Sequence, residues 1–166
     1  METKKVITKN SYLSFQISKE IFAVSVNKVL EVQEMQNITE VPDTPAYIVG
    51  IINFRGEILP VVETRIKFNM PPKDREKYVI IVIETLINGK KTLLGAIADA
   101  VVDVMEVADT EILEAPALGS NYNPDYLKGM IKAENGFIMV LDIDKVLSLN
   151  ETGCFPSPEL IKDEIN

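Results

Sequence analysis

Tyr47-Ile48-Val49-Gly50-Ile51-Ile52-Asn53-Phe54-Arg55-Gly56-Glu57-Ile58-Leu59-Pro60-Val61-Val62 is the stretch on which the fold turns. Two aliphatic, β-branched runs, Ile48 to Ile52 and Ile58 to Val62, meet at one polar corner. Each has the composition of a strand, and Arg55-Gly56 between them supplies the positive φ that a tight hairpin turn needs. The expected hairpin holds Arg55 outward, where another molecule can reach it.

Around this hairpin the chain runs to 166 residues, of which 46% are hydrophobic and 25% charged, an ordinary globular balance. A chain of this length buries about 70% of its unfolded surface on folding, so it needs neither staple nor metal to fold. The net charge of −8 argues against nucleic acid or an anionic membrane surface as partner, because a basic face is what neutralises phosphates. Met1-Glu2-Thr3-Lys4-Lys5 is followed by no apolar segment of signal-peptide length, and no apolar run is long enough to span a bilayer. A cytoplasmic chain is expected. The single cysteine, Cys154 in a Pro-rich tail, fits a reducing compartment.

The chain contains no histidine. That removes Ser-His and Cys-His nucleophile pairs, His-based metal sites, a phospho-accepting imidazole and the usual general base. No cofactor and no metal are expected, and the chain reads as not an enzyme. One alternative is carboxylate chemistry through Asp99 and Asp103 or through Asp142 and Asp144. Yet two carboxylates two apart on a strand share a face, and Asp142 and Asp144 more simply flank the start of a turn. The other alternative is a small ligand-binding or interaction barrel, for which the sequence shows no convergent polar set.

In chain order, residues 1–10 are polar and expected to fray. From Tyr12 to Ile17 the side chains of Leu13, Phe15 and Ile17 alternate with Ser14 and Gln16, and Phe22, Val24 and Val26 alternate with Ala23 and Ser25 beyond Ser18-Lys19-Glu20. This period of two predicts a hairpin. A short helical turn is expected around Val26, Val29 and Leu30 before Val32-Gln33-Glu34-Met35 extends. Val41-Pro42-Asp43-Thr44-Pro45 breaks regular structure. After the central hairpin, Glu63 to Met70 is expected to make one or two helical turns, and the Pro-rich, charged run Pro71 to Lys77 is the best internal boundary. Tyr78 to Ile83 is continuously apolar, as a strand covered on both faces must be, and Asn88-Gly89 joins it to a second strand, Thr92 to Ala98. Val101 to Val107 alternates again, and Leu118 to Pro124 reads as a loop. In the tail, residues 150–166, Ser157 and Pro158 have the chemistry of the N-cap and first position of a short helix.

The two halves repeat. Tyr47, Gly50, Ile52 and Glu63 match Tyr126, Gly129, Ile131 and Asp142 at a constant offset of 79 residues, and the Arg55-Gly56 corner is answered by Glu134-Asn135-Gly136. Upstream, Phe22-Ala23-Val24 and Val32-Gln33-Glu34 match Leu94-Gly95-Ala96 and Val104-Met105-Glu106 at an offset of 72. Two copies with many short strands predict an all-β fold with short helices, built as two similar barrel subdomains, roughly 11–70 and 77–149. Gly50 and Gly129 recur at one place in both copies, which favours a backbone need such as close strand approach.

Glu31-Val32-Gln33-Glu34-Met35, the stretch Pro45 to Val62 and the second-half stretch Tyr126 to Leu147 closely resemble the CheW family of bacterial chemotaxis coupling proteins, over about residues 11–149. The Asn53-Phe54-Arg55-Gly56 corner is the most specific signal. Phe54 stands where that family usually has Leu, and Glu63-Thr64 where it usually has Asp-Leu, neither expected to touch the charged corner. The resemblance implies one domain of two intertwined five-stranded β-barrels, a monomer when isolated. It further implies a non-catalytic adaptor that docks on the regulatory domain of the CheA histidine kinase and on the cytoplasmic tip of methyl-accepting chemotaxis receptors. Such a protein is recruited to receptor arrays at the inner face of the membrane. The kinase's own regulatory domain and the CheV proteins share the motif, but this chain has no phospho-accepting histidine and no room for a receiver domain, so a free-standing coupler is expected. The resemblance nominates Val32, Glu34, Gly50, Asn53 and Arg55 as receptor-binding, and no residue as kinase-binding. Taken from the residues alone, Arg55 and Glu34 also fit a structural ion pair, and Val32, Ile52 and Val61 fit a core.

Overall fold

The computed structural model describes residues 8–71, 76–116 and 124–147. Cys154, the Ser157-Pro158 helix start, residues 72–75 and the loop residues 117–123 lie outside that range. The strands are β1 (Lys9–Ile17), β2 (Glu20–Ser25), β3 (Val29–Glu34), β4 (Ile48–Phe54), β5 (Glu57–Glu63), β6 (Val79–Ile87), β7 (Lys90–Ala98), β8 (Ala100–Ala108), β9 (Leu127–Ala133) and β10 (Gly136–Leu141). A 3-10 turn, Val26–Lys28, precedes β3, and one-turn helices α1 (Thr64–Lys67) and α2 (Ile143–Val146) follow β5 and β10. Strand β1 starts earlier than the alternation suggests, because Lys9, Asn10 and Ser11 pair with Ala108, Val107 and Glu106. Polar side chains do not prevent pairing where the backbone groups find partners.

The strands form two five-stranded sheets, in the orders β8-β1-β2-β10-β9 and β3-β6-β7-β5-β4. Each sheet takes a hairpin from one half of the chain and three strands from the other. Each hairpin is flanked on both sides by the other half: by antiparallel ladders of β1 with β8 and of β6 with β3, and by short parallel ladders that set Val140 beside Ala23 in the first sheet and Val61 beside Gly95 in the second. The boundary expected between residues 70 and 77 therefore separates two sequence repeats but not two sheets.

The sheets are open rather than closed barrels, which corrects that expectation. The segment continuing β3 curls back to the far edge, where Thr39 and Ile51 exchange hydrogen bonds of 2.9 and 2.8 Å. The repeat does the same beyond β8, through Leu113 and Met130 at 2.7 and 2.8 Å. A single bridge per sheet replaces the ladder that closure would require. Both recurring glycines lie beneath these bridges. A Cβ on Gly50 would sit 2.2 Å from the Thr39 carbonyl oxygen, and one on Gly129 would sit 2.5 Å from that of Leu113. The bridges thus exist only because the side chain is absent.

The alternation of the strands sorts the core into three clusters. Ile80 and Val82 point into the curl of the second sheet with Ile52, Phe54, Leu59 and Val61, while Ala23, Val140 and Ile131 fill that of the first. Ile81 and Ile83 face the other way, joining Leu13, Phe15, Val24, Leu94 and Leu141 between the sheets. This double coverage is why the start of β6 is continuously apolar. At the centre, Phe22 stacks on Phe68 at 5.2 Å, and the fully buried Lys67 places its ammonium 5.2 Å from the Tyr47 ring and 5.5 Å from the equivalent Tyr126 ring. Burial raises the Tyr47 hydroxyl above its ordinary pKa.

Two carboxylates tie the sheets together. Asp99, just beyond β7, accepts two hydrogen bonds of 2.8 Å from the Arg65 guanidinium on α1 and one of 2.7 Å from the Ser18 amide at the β1–β2 turn. Asp144 on α2 accepts from Lys28 at 2.9 Å, from the Thr85 hydroxyl at 2.9 Å and from the Leu86 amide at 3.0 Å. Burial alone would raise the Asp144 carboxyl. The Lys28, Leu86 and Thr85 hydrogen bonds and the Lys28 charge outweigh it and hold the pKa below the usual carboxylate value.

Two predictions follow from these contacts. Gly50→Ala and Gly129→Ala should each cost about 2 kcal/mol or more in urea unfolding, since backbone must move to admit the methyl group; a change within about 0.5 kcal/mol would show that the bridges are dispensable. The lowered Asp144 pKa stabilises the fold above the unfolded carboxylate pKa of about 4, and this contribution is lost as pH falls through the folded value. Asp144→Asn should therefore be destabilised most, and by a pH-independent amount, at neutral pH, and the deficit should shrink as pH falls below about 4, where wild type loses the same contribution and the variant's acid limb is flatter.

Candidate partner-docking site

The β4–β5 hairpin turns on two residues with positive φ, Arg55 at 51° and Gly56 at 82°. The pair Asn88 at 53° and Gly89 at 77° makes the same mirror-image turn between β6 and β7. Asparagine tolerates this conformation, whereas an arginine there carries a steric cost. Asn53 offsets part of it by accepting a hydrogen bond of 2.9 Å from the Gly56 amide.

Arg55 is held from two sides. Its guanidinium lies 4.9 Å above the Phe54 ring, and one Nη is 3.8 Å from the Glu31 carboxylate. Its side chain remains 67% exposed, so these contacts aim the charge without burying it. A structural ion pair with Glu34, the alternative that the residues alone left open, is not what forms. Strand β3 alternates, placing Glu31 and Gln33 toward the hairpin and Leu30, Val32 and Glu34 on the opposite, exposed face. The period of two excludes Glu34 from the side that Arg55 approaches. Phe54 does touch the charged corner: it is buried, and its ring is the platform for the guanidinium.

Of the five residues singled out in the sequence, Val32 and Glu34 share the outer face of an edge strand, and Asn53 and Arg55 share the hairpin tip. Gly50 stands apart from them, buried under the Thr39 bridge. Polar side chains run from Gln36 through Gln33 to Glu31, with hydrogen bonds of 2.6 and 3.1 Å, and so connect the end of β3 to the Arg55 corner. Beside the hairpin lies a wide, shallow cleft of about 400 Å³ whose walls include Gln36, Asn37, Thr39, Asn53 and Ile58. Its shape suits a protein surface better than a small enclosed ligand. The carboxylates of the enzyme alternative are otherwise engaged: Asp99 and Asp144 in the clamps, Asp103 on the Val104 amide and Asp142 on the Lys145 amide that caps α2.

A family model for the CheW-like domain matches residues 11–151, the span that holds both sheets and the arginine-tipped hairpin. The chain belongs to the CheW-like family. It is 29% identical over 148 residues to the chemotaxis protein CheW of Rhizobium meliloti, covering 89% of this chain and 88% of that one. Identity to the CheW of Thermotoga maritima is 30% over 135 residues, covering 81% and 85% respectively. Among solved structures, the scaffolding protein TtCheW from Thermoanaerobacter tengcongensis superposes with a TM-score of 0.75 at 27% identity, over 87% of this chain and 97% of that one.

Several exposed apolar residues on this CheW-like chain escaped the sequence reading. Leu30 extends the outer face of β3 beside Val32, Met35 is exposed just beyond the strand, and Ile58, 75% exposed, stands next to the hairpin tip. On the other sheet, Val102 and Val104 of the edge strand β8 are 53% and 57% exposed. Leu30 was legible from its spacing of two from Val32. The β8 valines were not, because an alternating run looks the same whether its apolar side meets a core or a partner.

Arg55→Asn should stabilise the fold by about 0.5 kcal/mol in urea unfolding, since Asn-Gly suits this turn better. Phe54→Ala should cost about 3–5 kcal/mol, as loss of a buried ring does. A destabilised Arg55→Asn variant would make the arginine a structural residue.

Proposed function

We propose that this CheW-like chain is a non-catalytic chemotaxis adaptor that couples chemoreceptors to the CheA histidine kinase. The observation that carries the reading is Arg55 itself: an exposed cation at a turn position that costs stability, where the turn of the same type between β6 and β7 uses asparagine. Strain at an exposed residue is retained when something outside the fold requires that residue. Family membership and the names of the relatives support chemotaxis as the setting.

The receptor-facing surface is formed by Val32, Glu34, Asn53 and Arg55, with Leu30 and Ile58 adding apolar area, and Gly50 shapes it by admitting the 36–39 segment. It takes the cytoplasmic tip of a methyl-accepting receptor. The kinase regulatory domain takes a separate face, for which the exposed valines of β8 on the other sheet are the best-supported location. Holding both partners on one body raises their effective concentration for each other and lets receptor state bias kinase activity. The adaptor works in the cytoplasm, recruited to arrays at the inner membrane face. Among the described residues no helix is long and apolar enough to cross a membrane.

Calorimetric titration against a CheA regulatory domain from the same organism should give saturable binding with negative ΔCp, the mark of apolar docking. Arg55→Glu should weaken receptor binding about tenfold and leave kinase binding unchanged, and Val104→Glu should do the reverse. Absence of kinase binding at high concentration, or equal loss of both partners in either variant, would refute the two-surface adaptor.

A further inference from the structure

Arg55 stands 3.8 Å from the Glu31 carboxylate, outside the roughly 2.7–2.9 Å of a closed charge-assisted hydrogen bond. Closed, that pair would spend the charge of the hairpin tip on a residue of the same chain. The gap therefore matters for whatever Arg55 is to bind, and the neighbouring side chains of β3 show what keeps it open.

The Gln33 amide donates a hydrogen bond of 3.1 Å to Glu31 Oε2, the same oxygen that faces Arg55. Residues two apart on a strand share a face, so this bond forms without bending the backbone. The direction of the Gln33 amide is itself fixed. Its Oε1 accepts a hydrogen bond of 2.6 Å from the Gln36 amide, which leaves Nε2, the donor end, to point at Glu31. Gln36 is anchored in turn, because its backbone carbonyl accepts a hydrogen bond of 3.2 Å from the Tyr78 hydroxyl just before β6. The chain of contacts from Tyr78 through Gln36 and Gln33 ends on the carboxylate that Arg55 approaches.

We propose that Gln33 is a positioning residue for Arg55: it latches the Glu31 carboxylate to β3 and so keeps the arginine from being neutralised within its own chain. The inference rests on the reading of Arg55 as a receptor contact and deepens it, by naming what keeps that contact available beside an acid. The Phe54 ring aims the guanidinium, and the latch leaves it 67% exposed for a partner's carboxylate. Gln36 and Asn53 both wall the cleft beside the hairpin, so the latch lies in the surface that a partner would cover. An ion pair this exposed contributes little to stability, so loss of the latch should be nearly silent in unfolding and visible in binding.

A double-mutant cycle in the full chain tests it, with Gln33→Met, which removes the donor at similar length, Glu31→Gln, which removes the charge, and the two combined. Two readouts separate the latch from the adaptor reading. The Arg55 side-chain Nε–H signal in 15N NMR reports ion pairing with no partner present. In Gln33→Met, rotation of the guanidinium about its Nε–Cζ bond should slow about threefold as Glu31 closes on it, and in the combined variant the slowing should vanish. In calorimetric titration with a soluble cytoplasmic fragment of a methyl-accepting receptor from the same organism, Gln33→Met should bind about three- to fivefold more weakly than wild type, and the combined variant should regain the affinity of Glu31→Gln. An Arg55 signal unchanged by Gln33→Met, or a combined variant as weak as Gln33→Met alone, would overturn the latch. A Gln33 that only supports the fold, or that touches the receptor itself, gives the second of these results, because removing the Glu31 charge then restores nothing. A wild-type chain with no affinity for the fragment would refute the receptor reading instead, and the Arg55 signal would then decide the latch by itself.

Discussion

The structure rests on strand exchange, whose antiparallel ladders, β1 with β8 and β6 with β3, are completed by two parallel junctions, β2 beside β10 and β5 beside β7. Each is a short ladder, three residue pairs long, and each joins strands from opposite halves of the chain. Because a parallel ladder cannot be closed by a tight turn, the strands it joins must come from distant sequence. Both sheets therefore form from both halves or not at all. The central cluster reinforces this dependence, since Phe15 and Phe22 from one sheet pack in the same core as Ile81 and Leu94 from the other. A buried lysine between two equivalent tyrosines, and two carboxylates that each reach across, add directional contacts to a non-directional core.

This architecture suits an adaptor. The Arg55 corner lies on the second sheet and the β8 valines on the first, so the surfaces are separate while the core behind them is shared. Neither surface contributes much to that core. Val32, Ile58 and Val104 are exposed, and Arg55 adds only weak contacts. Residues on these exposed surfaces can change without dismantling the fold, whereas Gly50 and Gly129 cannot.

Much of this was legible in the sequence. Period-two alternation located β1, β2 and β8, a continuous apolar run marked β6 as covered on both faces, and Asn88-Gly89 and Arg55-Gly56 marked their turns. The 79-residue offset pointed to a repeat, and the recurrence of Gly50 and Gly129 to a backbone requirement, which turned out to be the bridges at Thr39 and Leu113. What stayed hidden depends on three-dimensional pairing. A repeat says that two units are alike but not whether each keeps its own hairpin, and closure of a sheet depends on curvature that no local pattern carries. The sequence left an ion pair of Arg55 with Glu34 open as one alternative, and only strand parity, which places Glu31 on the facing side, decides against it. The importance of Phe54 was likewise missed, since a Leu-for-Phe difference reads as conservative until the ring is seen beneath the guanidinium.

The central claim is that strand exchange makes the two sheets one cooperative unit. Native-state amide hydrogen exchange tests it most directly, comparing Ala23 and Val140 at the first junction with Val62 and Ala96 at the second. The account predicts that both sets open with the same free energy, equal to that of global unfolding and shifted together by denaturant. One junction opening at a clearly lower free energy while the other stays protected would mean two independently folding sheets, and would contradict it.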